Sequence, residues 1–252
     1  MTRTILTDAT IVFDLDGTLV NTAPDLTNAL NEVLSRRGHA PVSADYIRAT
    51  VGLGARAMIE AALARTGAEE DIDEMLAEFL VHYEENIATE SRPFPGAIEV
   101  LARLEAAGAR LAICTNKREH LTRKLLRALD LDRRFHTIAG RDTFAVGKPS
   151  PIPLTGVIAA AAGDTARALL VGDSDVDIRT ARAAAVPVLF VSFGYGAPGT
   201  RSRRTPPSII STRLKEALQD CSGHWRKARR SSSPWVAAVP PLFRMIRLPT
   251  EP

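Results

Sequence analysis

The sequence predicts an α/β protein: a doubly wound parallel sheet, a Rossmann-like core, with an all-helical cap domain inserted after the first strand. Three observations carry this. Five short apolar runs, TIVF (10–13), ARLAIC (109–114), HTIAG (136–140), ALLVG (168–172) and VPVLFVS (186–192), are too short for helices and lie between turn-forming residues. That is the pattern of buried parallel strands. Helical patterns separate the later runs, and alternation of strand with helix builds a parallel sheet. Residues 20–92, between the first run and the second, read as helices with no convincing strand. They are too many for a crossover connection and are expected to form a domain of their own.

Taken in order, the first run ends in Asp14 and leads into TAPDLTNALNEVLSRRG, a helix expected to open on a Thr22-x-x-Asp25 capping box and to close at Gly38. GARAMIEAALARTG follows, then DIDEMLAEFLVHYEEN, where Ile72, Met75, Leu76, Phe79, Leu80 and Tyr83 recur at helical spacing. Beyond the insertion, GAIEVLARLEAAG (96–108) is expected to bury Ile98, Leu101, Ala102 and Leu104 on one face and to stop at Gly108. REHLTRKLLRALD repeats the pattern with Leu121, Leu125, Leu126 and Leu129, and SDVDIRTARAAAV follows the fourth run. The expected division is a core of 1–19 and 93–200, a cap of 20–92, and a basic Arg/Ser/Pro-rich extension over 201–252.

Composition narrows the class. A chain of 252 residues, 45% hydrophobic and 24% charged, is ordinary for a soluble globular protein. No apolar run approaches the roughly 20 residues of a membrane helix, and Asp8 interrupts the opening segment before it can read as a secretory signal. Two cysteines, Cys114 and Cys221, make no disulfide framework. A cytoplasmic enzyme without membrane partners is the expectation, with Cys114 serving strand packing. The five histidines show no metal-ligand spacing.

The net charge of +3 is uneven. Residues 201–252 hold eleven Lys/Arg against three acids, which leaves 21 basic and 26 acidic residues before them. The body is mildly acidic, so the whole chain does not read as a nucleic-acid binder. The extension can be read as an arm for nucleic acid or a membrane surface, or as an unpacked tail, including one produced by a shifted reading frame. Its composition favours the second reading, since no aromatic residues interleave the basic ones at a stacking distance. SIISTRLKEALQD within it has the pattern of a short closing helix.

In doubly wound sheets ligands bind beyond the carboxyl ends of the strands. Those ends carry Asp14, Asp16, Gly17 and Thr18 after the first run and Thr115, Asn116 and Lys117 after the second. Lys148 follows the third, and Asp173 and Asp177 follow the fourth. Three carboxylates (Asp14, Asp16, Asp173), a lysine and a hydroxyl are thus expected to converge. Like charges crowded together need relief, and a hard divalent cation such as Mg²⁺ prefers such oxygen ligands together with a substrate phosphate. Phosphate-ester chemistry then assigns roles: Asp14 as nucleophile, and Asp16 as proton donor and later acceptor. Thr115 and backbone N–H groups around Gly17 and Asn116 would hold phosphoryl oxygens, and Lys148 would balance charge on Asp14 and the phosphate.

Over about residues 8–195 the chain resembles the haloacid dehalogenase superfamily of phosphotransferases. Asp14-Leu15-Asp16-Gly17-Thr18 matches its first motif, Thr115 the second, Lys148-Pro149 the third and Gly172-Asp173-Ser174-x-x-Asp177 the fourth. The helical insertion resembles its C1 cap. The resemblance implies a phosphatase, since the second Asp of the first motif marks that branch. It implies that Asp14 is both nucleophile and Mg²⁺ ligand, and that Asp16 binds the metal through its backbone carbonyl. Asp173 is implied as the other protein ligand, with Asp177 supporting the metal site or Lys148. Within the superfamily, VGLGARAMIE, PFPGAIEVLARLEAAGARLAICTNK and GKPSPIPL are similar to the bacterial phosphoglycolate phosphatases. Leu53 departs from that pattern, where a polar residue is common, and so does Ser150, where Asp is usual.

The Gly52-Leu53-Gly54 turn admits two readings, a break between cap helices or a substrate contact through Gly52 and Gly54. The expected partner is a small phosphorylated metabolite, 2-phosphoglycolate first. Sugar or amino-sugar phosphates, with phosphomutase chemistry among them, are the alternative. An inactive binding protein with a nucleic-acid-binding tail is the rival from another class.

Overall fold

The computed structural model describes residues 6–65 and 67–196. The basic extension at 201–252, with its expected closing helix, lies outside the described residues, as does Cys221.

Five strands form one parallel sheet in the order β5-β4-β1-β6-β7: β1 (Thr10–Phe13), β4 (Arg110–Cys114), β5 (Thr137–Ala139), β6 (Ala168–Gly172) and β7 (Val188–Phe190). The side chains alternate faces as a pleated strand requires. Ile11, Phe13, Leu111, Ile113, Leu169 and Val171 join the larger apolar cluster, whereas Val12, Ala112, Cys114 and Leu170 join the smaller. Helices α5 (Ala97–Ala106) and α6 (Glu119–Ala128) pack on the first face through Leu101, Leu104, Leu121, Leu125 and Leu126. On the second face lie α7 (Pro151–Ala160) and α8 (Asp175–Ala183), through Leu154, Val157, Ile158 and Ala181.

Among its described residues the inserted segment carries four α-helices, α1 (Ala23–Arg36), α2 (Ala44–Thr50), α3 (Ala55–Ala64) and α4 (Ile72–Glu85). Its apolar residues Leu30, Ile47, Met58, Met75, Phe79 and Tyr83 belong to the same cluster as the first face of the sheet. Asp71 caps α4 by accepting from Asp73 N at 2.9 Å and Glu74 N at 3.1 Å.

Several local expectations are corrected. Residues 20–92 do contain strand: β2 (Val20–Asn21) pairs antiparallel with β3 (Arg92–Pro93), tying the two ends of the insertion together. Two-residue strands, one containing proline, leave no periodicity to read. Thr22 makes no capping hydrogen bond. Its expected partner Asp25 is buried and instead accepts from Glu90 N at 2.9 Å, Ser91 N at 2.8 Å and Ser91 Oγ at 2.6 Å, across the root of the insertion. On α5 the buried stripe is Ala97, Leu101 and Leu104, while Ile98 and Ala102 face solvent. The last strand is only three residues long and half-buried at the sheet edge. Helix α7 had no predictor, because PIPLTGVIAA is apolar on every side and shows no stripe.

Candidate active site

Chain order reverses beside β1, which has β4 on one side and β6 on the other, so the crevice expected of this topology opens at their carboxyl ends. The sheet ladder continues one residue past each strand and fixes what stands there. Asp14 N donates to Val171 O at 2.9 Å, and Thr115 N donates to Ala139 O at 3.1 Å. Both side chains are buried at the crevice floor.

Carboxylate oxygens of Asp14, Asp173 and Asp177 lie within 4.8 Å of one another, and all three residues are buried. Lys148 bridges two of them, with Nζ 3.0 Å from Asp14 Oδ1 and 2.6 Å from Asp177 Oδ1. The other Asp177 oxygen accepts from Ser174 N at 3.1 Å and Ser174 Oγ at 2.5 Å, completing the capping box that starts α8. Asp177 is therefore spent on holding Lys148 and the helix start. Asp173 accepts from Thr18 Oγ1 at 2.7 Å, Tyr195 N at 2.6 Å and Gly196 N at 3.3 Å.

Gly17 sits at φ +83°, and a Cβ there would lie 2.5 Å from Asp173 Oδ2. Only glycine lets the loop turn this tightly against that carboxylate. The donor expected of Gly17 is taken, because its N–H donates to Val20 O at 3.0 Å. Its contribution is space.

Charge in this cluster is unbalanced. Burial pushes the Asp14 carboxyl up to about 7; Lys148 pulls it down, while Asp177, Asp173 and Asp16 push it further up. Burial, then Asp177, raises Asp173 to about 6 against the hydrogen bonds from Thr18, Tyr195 and Gly196. For Lys148, burial opposes the charge, but Asp14 and Asp177 outweigh it and hold the ammonium above its usual range. Three buried acids face one buried lysine. A hard cation with oxygen ligands corrects that deficit, so the donor set fits a metal ion at Asp14 and Asp173.

Asp16 points the other way, toward the cap. Its Oδ1 and Oδ2 lie 3.0 and 3.1 Å from Lys117 Nζ, and that ammonium also sits 4.6 Å from the ring centroid of Tyr83 on α4. Lys117 is the polar group that sequence reasoning passed over. Its signal was its place, third in the Thr115-Asn116-Lys117 run at the end of β4. Asn116 is expected to act through its backbone N–H, and its side chain is engaged elsewhere. Its amide accepts from Lys148 N at 3.0 Å and donates to Lys148 O at 3.1 Å and Gly52 O at 3.4 Å. The side chain holds loops together and is not free for a ligand.

The Gly52 contact brings the cap over the crevice, and of the two readings of its turn the break between cap helices is observed. Residues 51–53 form a single helical turn separating α2 from α3, with Gly54 at φ +94°. The same turn roofs a cavity of about 800 Å³ between cap and core, lined by Asp16, Leu53, Gly54, Tyr83, Asn116 and Lys117 among others. Ser150, the other departure, caps α7 by accepting from Ile152 N at 3.3 Å. Cys114 is buried, and burial first of all pushes its thiol up to about 12, as befits a packing residue.

The fold and this cluster define a class. A sequence model of the haloacid dehalogenase-like hydrolases matches residues 11–191, and the chain belongs to that family. Among named relatives, the phosphoglycolate phosphatase of Mesorhizobium japonicum is 48% identical over 223 residues, which is 85% of this chain and 98% of the relative. That of Agrobacterium fabrum is 48% identical over 187 residues, 73% of this chain and 80% of the relative. A crystal structure of a predicted phosphoglycolate phosphatase from Haemophilus somnus superposes with a TM-score of 0.73 at 27% identity, covering 83% of this chain and 98% of that one.

Proposed function

We propose that the chain is a magnesium-dependent phosphatase that hydrolyses a small phosphate monoester, 2-phosphoglycolate, to glycolate and phosphate, as part of cytoplasmic carbohydrate metabolism. The observation that carries this is the buried Asp14 carboxylate at the end of β1, 3.0 Å from Lys148 Nζ and beside Asp173, in a chain 48% identical to named phosphoglycolate phosphatases.

Asp14 attacks phosphorus, forming an aspartyl-phosphate as the bond to the leaving oxygen breaks. Asp16 gives a proton to that oxygen, and glycolate leaves. Asp16 then takes a proton from water, the water oxygen attacks phosphorus, and phosphate departs with the Asp14 carboxylate restored. Lys148, held by Asp177, stays on Asp14 and balances the phosphoryl charge. Thr115 offers its hydroxyl and Asn116 its backbone N–H to phosphoryl oxygens. A Mg²⁺ ion at Asp14, Asp173 and the Asp16 carbonyl would neutralise charge on the phosphoryl group. The cap, 20–92, closes on the core of 1–19 and 93–200, with Gly52 and Gly54 over the substrate, and limits water during the first transfer.

Phosphate release from 2-phosphoglycolate, a hexose phosphate and an amino-sugar phosphate, each with Mg²⁺ and with EDTA, tests the reading. The highest kcat/KM is expected for 2-phosphoglycolate, with activity lost in EDTA. A preference for the sugar esters would overturn the substrate, and full activity in EDTA would overturn the metal.

A further inference from the structure

Lys117 is an expensive residue to place where it stands. Its side chain is 6% exposed, and its ammonium lies between the Asp16 carboxylate and the ring face of Tyr83. Burial opposes the charge, and Asp16 followed by Tyr83 outweighs it. The pair stands at the wall of the cavity between cap and core. Breaking such a pair leaves an uncompensated buried charge. Yet Asp16 must turn to an ester oxygen during turnover, which takes it away from Lys117. Something has to replace it.

We propose that Lys117 is a specificity-determining residue, the receptor for a second anionic group on the substrate, so that the site favours short phosphate esters carrying a carboxylate close to the ester oxygen. This rests on the function proposed above and deepens it. A carboxylate two bonds from the ester oxygen reaches the ammonium when Asp16 meets that oxygen, since each hydrogen bond spans about 3 Å and Lys117 Nζ is 3.0 Å from Asp16 Oδ1. The substrate carboxylate takes the place of Asp16 on Lys117, and Asp16 is released toward the ester. A neutral ester offers no replacement, so Asp16 stays on the ammonium and turnover is slow. Discrimination arises because the poorer substrate leaves a buried group badly paired.

Tyr83 belongs to α4, so the cap supplies the second wall of this receptor and only the closed arrangement completes it. Arg118 and Arg141 also line the cavity but are exposed. Their charge speeds the approach of anions more than it selects among them.

The test compares wild type and Lys117→Met on 2-phosphoglycolate and on ethyl phosphate, which has a methyl group in place of the carboxylate. Losing one charge-assisted hydrogen bond predicts that kcat/KM for 2-phosphoglycolate falls about 10- to 100-fold further than kcat/KM for ethyl phosphate. Equal loss on both esters, or no loss on either, would overturn the receptor role. Phosphonoacetate, which carries both anions and resists hydrolysis, supplies a readout that does not depend on the native substrate. Its inhibition of p-nitrophenyl phosphate turnover should weaken about 10- to 100-fold in Lys117→Met, and unchanged inhibition overturns the proposal. A wild type that turns over p-nitrophenyl phosphate but not 2-phosphoglycolate would defeat the substrate reading alone, with the inhibition arm still deciding Lys117. Should Lys117→Met fail to fold, Lys117→Arg carries the same comparison, because a larger displaced cation changes the carboxylated ester's kcat/KM selectively.

Discussion

Tyr195 donates its backbone N–H to Asp173 Oδ2 at 2.6 Å, while its phenolic oxygen accepts from Ala23 N at 2.9 Å and donates to Asn21 Oδ1 at 2.8 Å. One residue therefore joins the acid cluster of the core to the root of the cap. The two ends of this link are chemically separable, since the contact with Asp173 is main chain and the contact with Asn21 and Ala23 is side chain.

Tyr195→Phe should therefore cost stability without costing metal affinity. Removing the phenol leaves the buried Ala23 N–H without its acceptor, a penalty of about 1–3 kcal/mol by urea denaturation. Calorimetric titration with Mg²⁺ should give the same Kd as wild type. A weakened metal site in this variant would mean that the phenol's contacts with Asn21 and Ala23, and not the Tyr195 backbone alone, orient Asp173.

Asp14→Asn preserves the shape of the side chain and removes its nucleophilic charge. Turnover of 2-phosphoglycolate should fall on the order of 10⁴-fold or more, as for other enzymes stripped of their attacking group. The unfolding midpoint should hold or rise, because a buried acid is replaced by a neutral group. Residual activity within tenfold of wild type would dismiss Asp14 as the nucleophile.

Without metal, the acid cluster makes stability depend on pH in a direction opposite to that of an ordinary ion pair. The folded-state values of Asp14, about 7, and Asp173, about 6, lie above the usual 3.8. The native state thus binds more protons than the unfolded chain, and the contribution of these groups falls as pH rises from about 4 to 7. Thermal unfolding in EDTA should show this loss in wild type, and Asp173→Asn should remove part of it. Mg²⁺ should act mainly at the upper end of that window. At a hundred times its Kd it adds about 2.7 kcal/mol. A Mg²⁺ effect equal at pH 4.5 and pH 7.5 would contradict the cluster as the binding site.

Asp177 is the counterpart of Lys148 at 2.6 Å and touches no other cation within hydrogen-bond reach among the described residues. Asp177→Asn should weaken the hold on the buried ammonium while Asp14 still pairs with it, costing about 1–3 kcal/mol for the lost charge-assisted hydrogen bond. Activity should fall through kcat more than KM, since the charge opposite the phosphoryl group is misplaced. Both are measurable on one preparation, by denaturation and by initial rates.

Much of the crevice floor was legible because strand ends are points where chain direction and polar residues coincide. Asp14, Thr115 and Asp173 each follow an apolar run, and the parallel register brings those runs side by side. What could not be read was side-chain allegiance. Gly17 looked like a phosphate donor by position, but its N–H closes on Val20, and the Asn116 side chain closes on Lys148 and Gly52. Asp25 looked like a helix cap and holds Ser91 from 66 residues away. Lys117 and Tyr195 act through partners remote in the chain, Tyr83 and Asn21, and no local spacing announces such meetings. Helix α7 was silent for a different reason: an element without a polar face has no period to detect.

Because Val20–Asn21 and Arg92–Pro93 run bonded side by side, the helical insertion leaves the sheet and returns to it at a single spot. An opening that broke the Gly52–Asn116 and Tyr83–Lys117 contacts but kept this short line would be widest far from it. Incoming ester, departing alcohol and the attacking water would all share one doorway, which sets their order of passage by geometry before any chemistry begins.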